Sequence, residues 1–138
     1  MHRFTGYHDV VTEVREALGR RVDALVGAGV AVDRIVIDPG LGFAKRAEHD
    51  WLLLSRLNEL VGTGMPVLVG ASRKSFLRRL RHPGDGPTRE SLDTATAAVS
   101  LLAARSGAFC VRVHDVPGSL LAVRVARACV MGTNSEFD

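Results

Sequence analysis

Short continuous apolar runs alternate along the chain with longer stretches in which apolar residues recur every three or four positions. Three of the runs are brief and β-branched: residues 34–38 (Arg-Ile-Val-Ile-Asp), 66–70 (Pro-Val-Leu-Val-Gly) and 109–114 (Phe-Cys-Val-Arg-Val-His). Runs of this length and composition predict buried strands. The longer stretches predict helices over residues 10–26, 47–61, 91–105 and 117–131. In the first three the apolar positions are Val10, Val14, Leu18, Val22 and Leu25, then Trp51, Leu54 and Leu57, then Leu92, Ala95, Val99 and Leu102. Glycines follow each of these three, and Pro117 opens the fourth, as helix ends commonly do. A Pro/Gly-rich loop over residues 82–88 precedes the third helix.

Strands alternating with helices of this length imply parallel pairing through right-handed crossovers, so the fold class is α/β. The order opens on a helix and holds three parallel strands with flanking helices. A three-stranded parallel sheet leaves two bare edges, whereas a closed barrel of this kind needs eight strands and about 250 residues. The 138 residues fit a single domain at roughly 100–150 residues each, and residues 132–138 read as a polar tail.

Composition narrows the class without naming a partner. Hydrophobic residues make up 46% and charged ones 24%, which excludes disorder and collagen-like sequence. No apolar run approaches the roughly 18–20 residues of a membrane helix, and residues 1–8 lack a secretory pattern, so the expectation is a soluble cytoplasmic protein with no membrane partner. Cys110 and Cys129 lie in apolar runs and are too few for a disulfide framework or zinc site, so they read as buried free thiols. The net charge of +3 and the stretch Arg73, Lys74, Arg78, Arg79 and Arg81 invite a nucleic-acid reading. Only Phe76 accompanies these charges, and a solvated helix face accounts for them, so no nucleic-acid partner is expected. Lys45 and Lys74 are the only lysines among 18 basic residues, a bias that says little about partners.

Each predicted strand ends in polar residues: Asp38-Pro39-Gly40, Ser72-Arg73-Lys74 and Arg112-Val113-His114-Asp115. In parallel α/β folds ligands bind at that edge. Alternation sets Arg112 and His114 on one face and Val111 and Val113 on the other. A guanidinium on a buried inner face is costly unless an anion meets it. That anion is either an internal carboxylate, Asp38 or Asp115, or a bound phosphate, for which Arg and His two residues apart form a compact clamp. Asp38 either caps its own Asp-Pro-Gly turn or offers its carboxylate to the paired N–H donors of a guanine or pterin ring. Lys74 follows Gly-Ala-Ser at a strand-to-helix junction, where backbone amides and a cation converge. Phe43, in Gly40-Leu41-Gly42-Phe43, packs on a ring or plugs the loop.

Three ordered motifs together resemble the signatures of the dihydropteroate synthase family: Asp38-Pro39-Gly40-Leu41-Gly42-Phe43-Ala44-Lys45, Val69-Gly70-Ala71-Ser72-Arg73-Lys74-Ser75-Phe76 and Val111-Arg112-Val113-His114-Asp115-Val116. The resemblance implies a (β/α)8 TIM barrel, with residues 1–131 its C-terminal half and Met1-His2 at the end of the fifth strand. It implies a transferase of folate biosynthesis that condenses 6-hydroxymethyl-7,8-dihydropterin diphosphate with 4-aminobenzoate, giving 7,8-dihydropteroate and diphosphate. On this basis Asp38, Lys74, Gly70 and Met1 would bind the pterin. Phe43, Lys74 and Ser75 would line the aminobenzoate pocket, and Arg112 and His114 would hold the diphosphate. Lys74, Arg112 and His114 would be the catalytic residues. Magnesium would assist departure of the diphosphate, its ligands lying in the N-terminal half rather than here. The family's late helices commonly form a homodimer. Two alternatives remain. One is a methyltetrahydrofolate:corrinoid methyltransferase-like protein, whose methyl donor has no diphosphate to clamp. The other is a non-catalytic binding module that uses the basic helix after Lys74.

Overall fold

The computed structural model describes residues 6–80 and 84–132. Met1, Arg81 and the tail beyond Gly132 lie outside them. The order is α1 (Val10–Gly27), a 3-10 turn (Val32–Arg34), α2 (Ala47–Ser55), α3 (Leu57–Val61), β1 (Leu68–Val69), α4 (Ser75–Arg78), α5 (Arg89–Arg105), β2 (Cys110–Val111) and α6 (Val116–Met131). No described helix is long and apolar enough to cross a membrane.

The sheet is smaller than expected. β1 and β2 pair in parallel, Leu68 with Cys110 and Val69 with Val111. The expected first strand contributes a single parallel bridge, Ile37 with Val67. Ile37 N donates to Pro66 O and Leu68 N to Ile37 O, and the ladder then ends as Asp38 turns into its loop. The expected third strand stops early for a similar reason. Arg112 N still donates to Val69 O, but His114 N donates to the Ser72 hydroxyl instead of a strand carbonyl. The α/β class with parallel pairing stands, while three full strands do not form among the described residues.

The two faces of this sheet differ. Ile35, Ile37, Val67 and Val69 are buried against the helices, where they join Val10, Val11, Val14, Leu53, Leu57, Leu60 and Phe76 in one core. Register places Val36, Asp38, Leu68, Gly70, Cys110 and Arg112 on the opposite face. On that face Val36 is 44% exposed although its run predicts a buried strand.

The helices also depart from the expected pattern. The single helix over residues 47–61 is broken at Arg56, whose φ of −116° leaves the helical range. Ser55 Oγ donates to Leu52 O there, and the Arg56 guanidinium turns to Asp9, 2.9 Å away, and to Glu59. Asp9 caps α1 by accepting from Val11 N and Thr12 N. In α5 the buried face runs through Leu92, Thr96, Val99 and Ala103, one position on from the expected Ala95 and Leu102. Thr96 earns its burial by bonding: its hydroxyl donates to Leu92 O and accepts Arg73 N. Helices α5 and α6 close on small residues, with Ser100 and Ser119 hydrogen-bonded at 3.1 Å and both buried. Both cysteines are free, but neither is buried: Cys110 is half-buried and Cys129 is exposed on the last turns of α6. Beside β2, whose outer edge has no strand against it among the described residues, lies an apolar groove of about 500 Å³ lined by Phe109, Val111, Val113, Val116 and Leu120.

Candidate active site

Asp38 begins a tightly organised loop. Its Oδ1 accepts Gly40 N at 2.8 Å, so one carboxylate oxygen caps the Asp-Pro-Gly turn while the side chain as a whole stays exposed. Gly40 and Gly42 have φ of +70° and +75°, a region that only glycine enters without cost. The backbone of this loop is stapled by three side chains. Lys45 Nζ donates to Gly40 O and Phe43 O, Asp50 Oδ1 accepts Gly42 N at 2.8 Å, and Lys74 Nζ donates to Leu41 O. Leu41 plugs the loop, whereas Phe43 is 62% exposed and presents its ring to Lys74 Nζ, 4.2 Å from the centroid. Phe43 therefore does not plug the loop.

Asp50 and Lys45 are the residues that sequence reasoning passed over. Asp50 is 2% exposed, and burial raises its pKa against the opposing hydrogen bond from Gly42 and the charges of Lys45 and Lys74. A signal was present: Asp50 lies on the same helical stripe as Leu53, Leu54, Leu57 and Leu60, where an apolar residue belongs. Lys45 is held below the ordinary lysine range, chiefly by burial, with Asp50 and Asp38 opposing. Lys74 is shifted the same way by burial, Asp38 opposing and Arg112 adding to the shift.

At the β1 end, Gly70 is what lets Arg112 approach. A Cβ on Gly70 would stand 2.9 Å from Arg112 Nη2, so the guanidinium lies directly over that glycine. Arg112 is exposed, and its guanidinium makes no hydrogen bond or ion pair with another described residue. The burial cost expected for it therefore does not arise, and neither Asp38 nor Asp115 neutralises it. His114, also exposed, is tied through Nδ1 to the Ser72 hydroxyl at 2.7 Å. Arg73 points the other way. It adopts φ +57° and grips Asp93 of α5 with two bonds, at 2.7 and 2.9 Å. Ser75, the exposed first residue of α4, opens on a cavity of about 290 Å³ shared with Lys45, Arg46, Asp50 and Arg79.

The structure thus brings Asp38, Gly70, Lys74 and Arg112 to one edge of the sheet, with His114 just beyond the end of β2 and Phe43 over Lys74. Met1 lies outside the described residues. Among those residues no group of three His, Cys, Asp or Glu side chains is arranged to hold a metal ion.

The chain is similar to known proteins in sequence and in structure. The chain is 55% identical over 124 residues to the dihydropteroate synthase of Mycobacterium leprae, an alignment covering 88% of this chain and 44% of that protein. Its structure is similar to that of the Yersinia pestis dihydropteroate synthase in a sulfonamide drug complex, with a TM-score of 0.84 at 31% identity over 93% of this chain and 45% of that one. It is likewise similar to the Xanthomonas albilineans dihydropteroate synthase in complex with 7,8-dihydropteroate, with a TM-score of 0.83 at 38% identity over 91% of this chain and 48% of that one. The chain spans a little under half the length of these relatives. The model of the pterin binding enzymes matches residues 1–114, which carry the first two motifs, the third as far as His114 and every side chain of the sheet edge, and the chain belongs to that family.

Proposed function

We propose that this chain supplies the pterin and diphosphate side of a dihydropteroate synthase, which joins 6-hydroxymethyl-7,8-dihydropterin diphosphate to 4-aminobenzoate. The observation that carries the reading is the unpaired Arg112 guanidinium, laid over Gly70 on the same sheet face as Asp38. The C–O bond to the diphosphate breaks with its electron pair going to the leaving oxygen, and Arg112 and His114 stabilise the charge that develops there. The amine nitrogen of aminobenzoate attacks the exposed methylene carbon and gives up its proton to solvent. Asp38 keeps Oδ2 available to accept the paired N–H donors of the pterin, and Lys74, with its ammonium already partly desolvated, lies between pterin and aminobenzoate. Phe43 and the cavity beside Ser75 receive the aromatic acid, whose carboxylate meets the cations of Lys45, Arg46 and Arg79. A methyl-transferring relative would leave Arg112 without an anion.

The residues gathered here do not fit magnesium: Asp38 is a single carboxylate, half used by Gly40 N, with Lys74 beside it. We assign any magnesium of the complete enzyme to residues outside this chain. The free thiols fit a reducing cytoplasm, and the exposed Leu121, Val125 and Val130 of α6 support a homodimer of the complete enzyme. The test is coupling of dihydropterin diphosphate to aminobenzoate by this chain joined to the remaining portion of a full-length relative. Dihydropteroate should form, and Arg112→Ala should lower kcat by about 10²–10³, the usual loss of one oxyanion-stabilising donor. A joined, folded protein that makes no dihydropteroate would overturn the proposal.

A further inference from the structure

The Ser72 hydroxyl makes two contacts to one residue. It accepts His114 N–H at 3.0 Å, and it lies 2.7 Å from His114 Nδ1. A hydroxyl has one proton to donate. Among the described residues Nδ1 is the hydroxyl's one acceptor, so donation to Nδ1 is the arrangement in which the Ser72 proton has a partner within the protein. That leaves Nδ1 as acceptor and places the ring proton on Nε2, which has no described partner.

We propose that Ser72 is a positioning residue that holds the His114 imidazole as its Nε2–H tautomer, so that the free nitrogen is always a hydrogen-bond donor. Ser72 is itself held in place. The next residue, Arg73, takes a left-handed backbone conformation that a non-glycine residue rarely adopts. It is kept there by its amide on Thr96 Oγ1 and its two-pronged grip on Asp93, both on α5. The helix thus fixes the strand-end serine, and the serine fixes the ring. With the wrong tautomer, Nε2 would present a lone pair to an incoming anion and repel it. With this one, Nε2–H and the Arg112 guanidinium are both donors. This consequence for anion binding rests on the diphosphate reading above, whereas the tautomer itself does not.

The experiment is a long-range 1H–15N spectrum of the imidazoles in the 15N-labelled 138-residue chain, at a pH of about 8.5 where imidazoles are neutral. His114 is assigned by the signals lost in His114→Gln. A protonated Nε2 and a bare Nδ1, each at its limiting shift, are expected, with Ser72→Thr retaining the pattern and Ser72→Ala moving both shifts toward the average of exchanging tautomers. A protonated Nδ1 or averaged shifts in the unsubstituted chain would overturn the proposal, as would a Ser72→Ala spectrum identical to it. Should Ser72→Ala fail to fold, the unsubstituted chain and Ser72→Thr decide alone. Inorganic diphosphate is then added. Movement of the Nε2–H signal supports anion contact at His114, and its absence with the tautomer locked counts against the diphosphate reading while Ser72 keeps its assigned role.

Discussion

Gly70→Ala isolates the Arg112 guanidinium from everything else in the site. The added methyl would stand 2.9 Å from Arg112 Nη2 and 3.5 Å from Cζ and Nε, and no backbone atom is among these neighbours. An ordinary contact of about 3.5–4 Å requires the guanidinium to retreat by roughly 0.5–1 Å. The far end of an arginine moves that far cheaply, so the fold should persist, with stability changed by no more than about 0.5 kcal/mol. The anion site should not. A displacement near 1 Å in a charge-assisted contact costs up to about 10²-fold. The expectation is a 10- to 100-fold loss of diphosphate affinity, equivalent to about 1.4–2.7 kcal/mol. Calorimetric titration with inorganic diphosphate, beside a thermal melt of the same preparation, reads both quantities. Unchanged affinity with an unchanged melt would refute the placement of the anion at Arg112, and a collapse of the melt would refute the claim that only a side-chain tip must move.

Acid sensitivity should be traceable to the α1 cap. Hydrogen bonds from Thr12 and Arg56 lower the pKa of Asp9 from 3.8 to about 2, so its contribution is fully present above 3.8 and is lost as pH falls toward 2. Urea unfolding measured across that window should show Asp9→Asn flattening the acid limb, and an equally steep limb would contradict the cap's role. The open edge of β2 and the 67% exposed Phe109 predict self-association of the isolated chain. Phe109→Lys should shift size-exclusion elution toward the monomer, whereas an unsubstituted chain already monomeric with a sharp cooperative melt would count against the edge as a contact surface.

Much of the site was legible because its signals are local. Asp38, Lys74, Arg112 and His114 each end a short apolar run, and the period-two pattern of residues 109–114 placed Arg112 and His114 opposite Val111 and Val113 without reference to the rest of the chain. Three features escaped the sequence reading because their cause is remote. Arg56 breaks a helix through Asp9, 47 residues earlier. Thr96 joins Leu92 and Val99 on the buried face of α5, where it accepts Arg73 N. Asp50 sits in a core position because the Gly42 amide, in another segment, has to be satisfied. Periodicity counts neighbours along one helix and cannot register a partner in a different element.

The sequence by itself determined the α/β alternation, the loops that carry chemistry and the residue types at the strand ends, all set by short-range periodicity and turn chemistry. Only the tertiary structure decided what those residues touch. It left Arg112 open to an anion instead of burying it against Asp38 or Asp115, aimed Phe43 at Lys74, and turned Arg73 away to Asp93. Hydrogen bonds and ion pairs between segments depend on how the elements pack, and that packing is fixed by the shared core of Ile37, Val67, Val69, Leu53 and Phe76 rather than by any one stretch of chain.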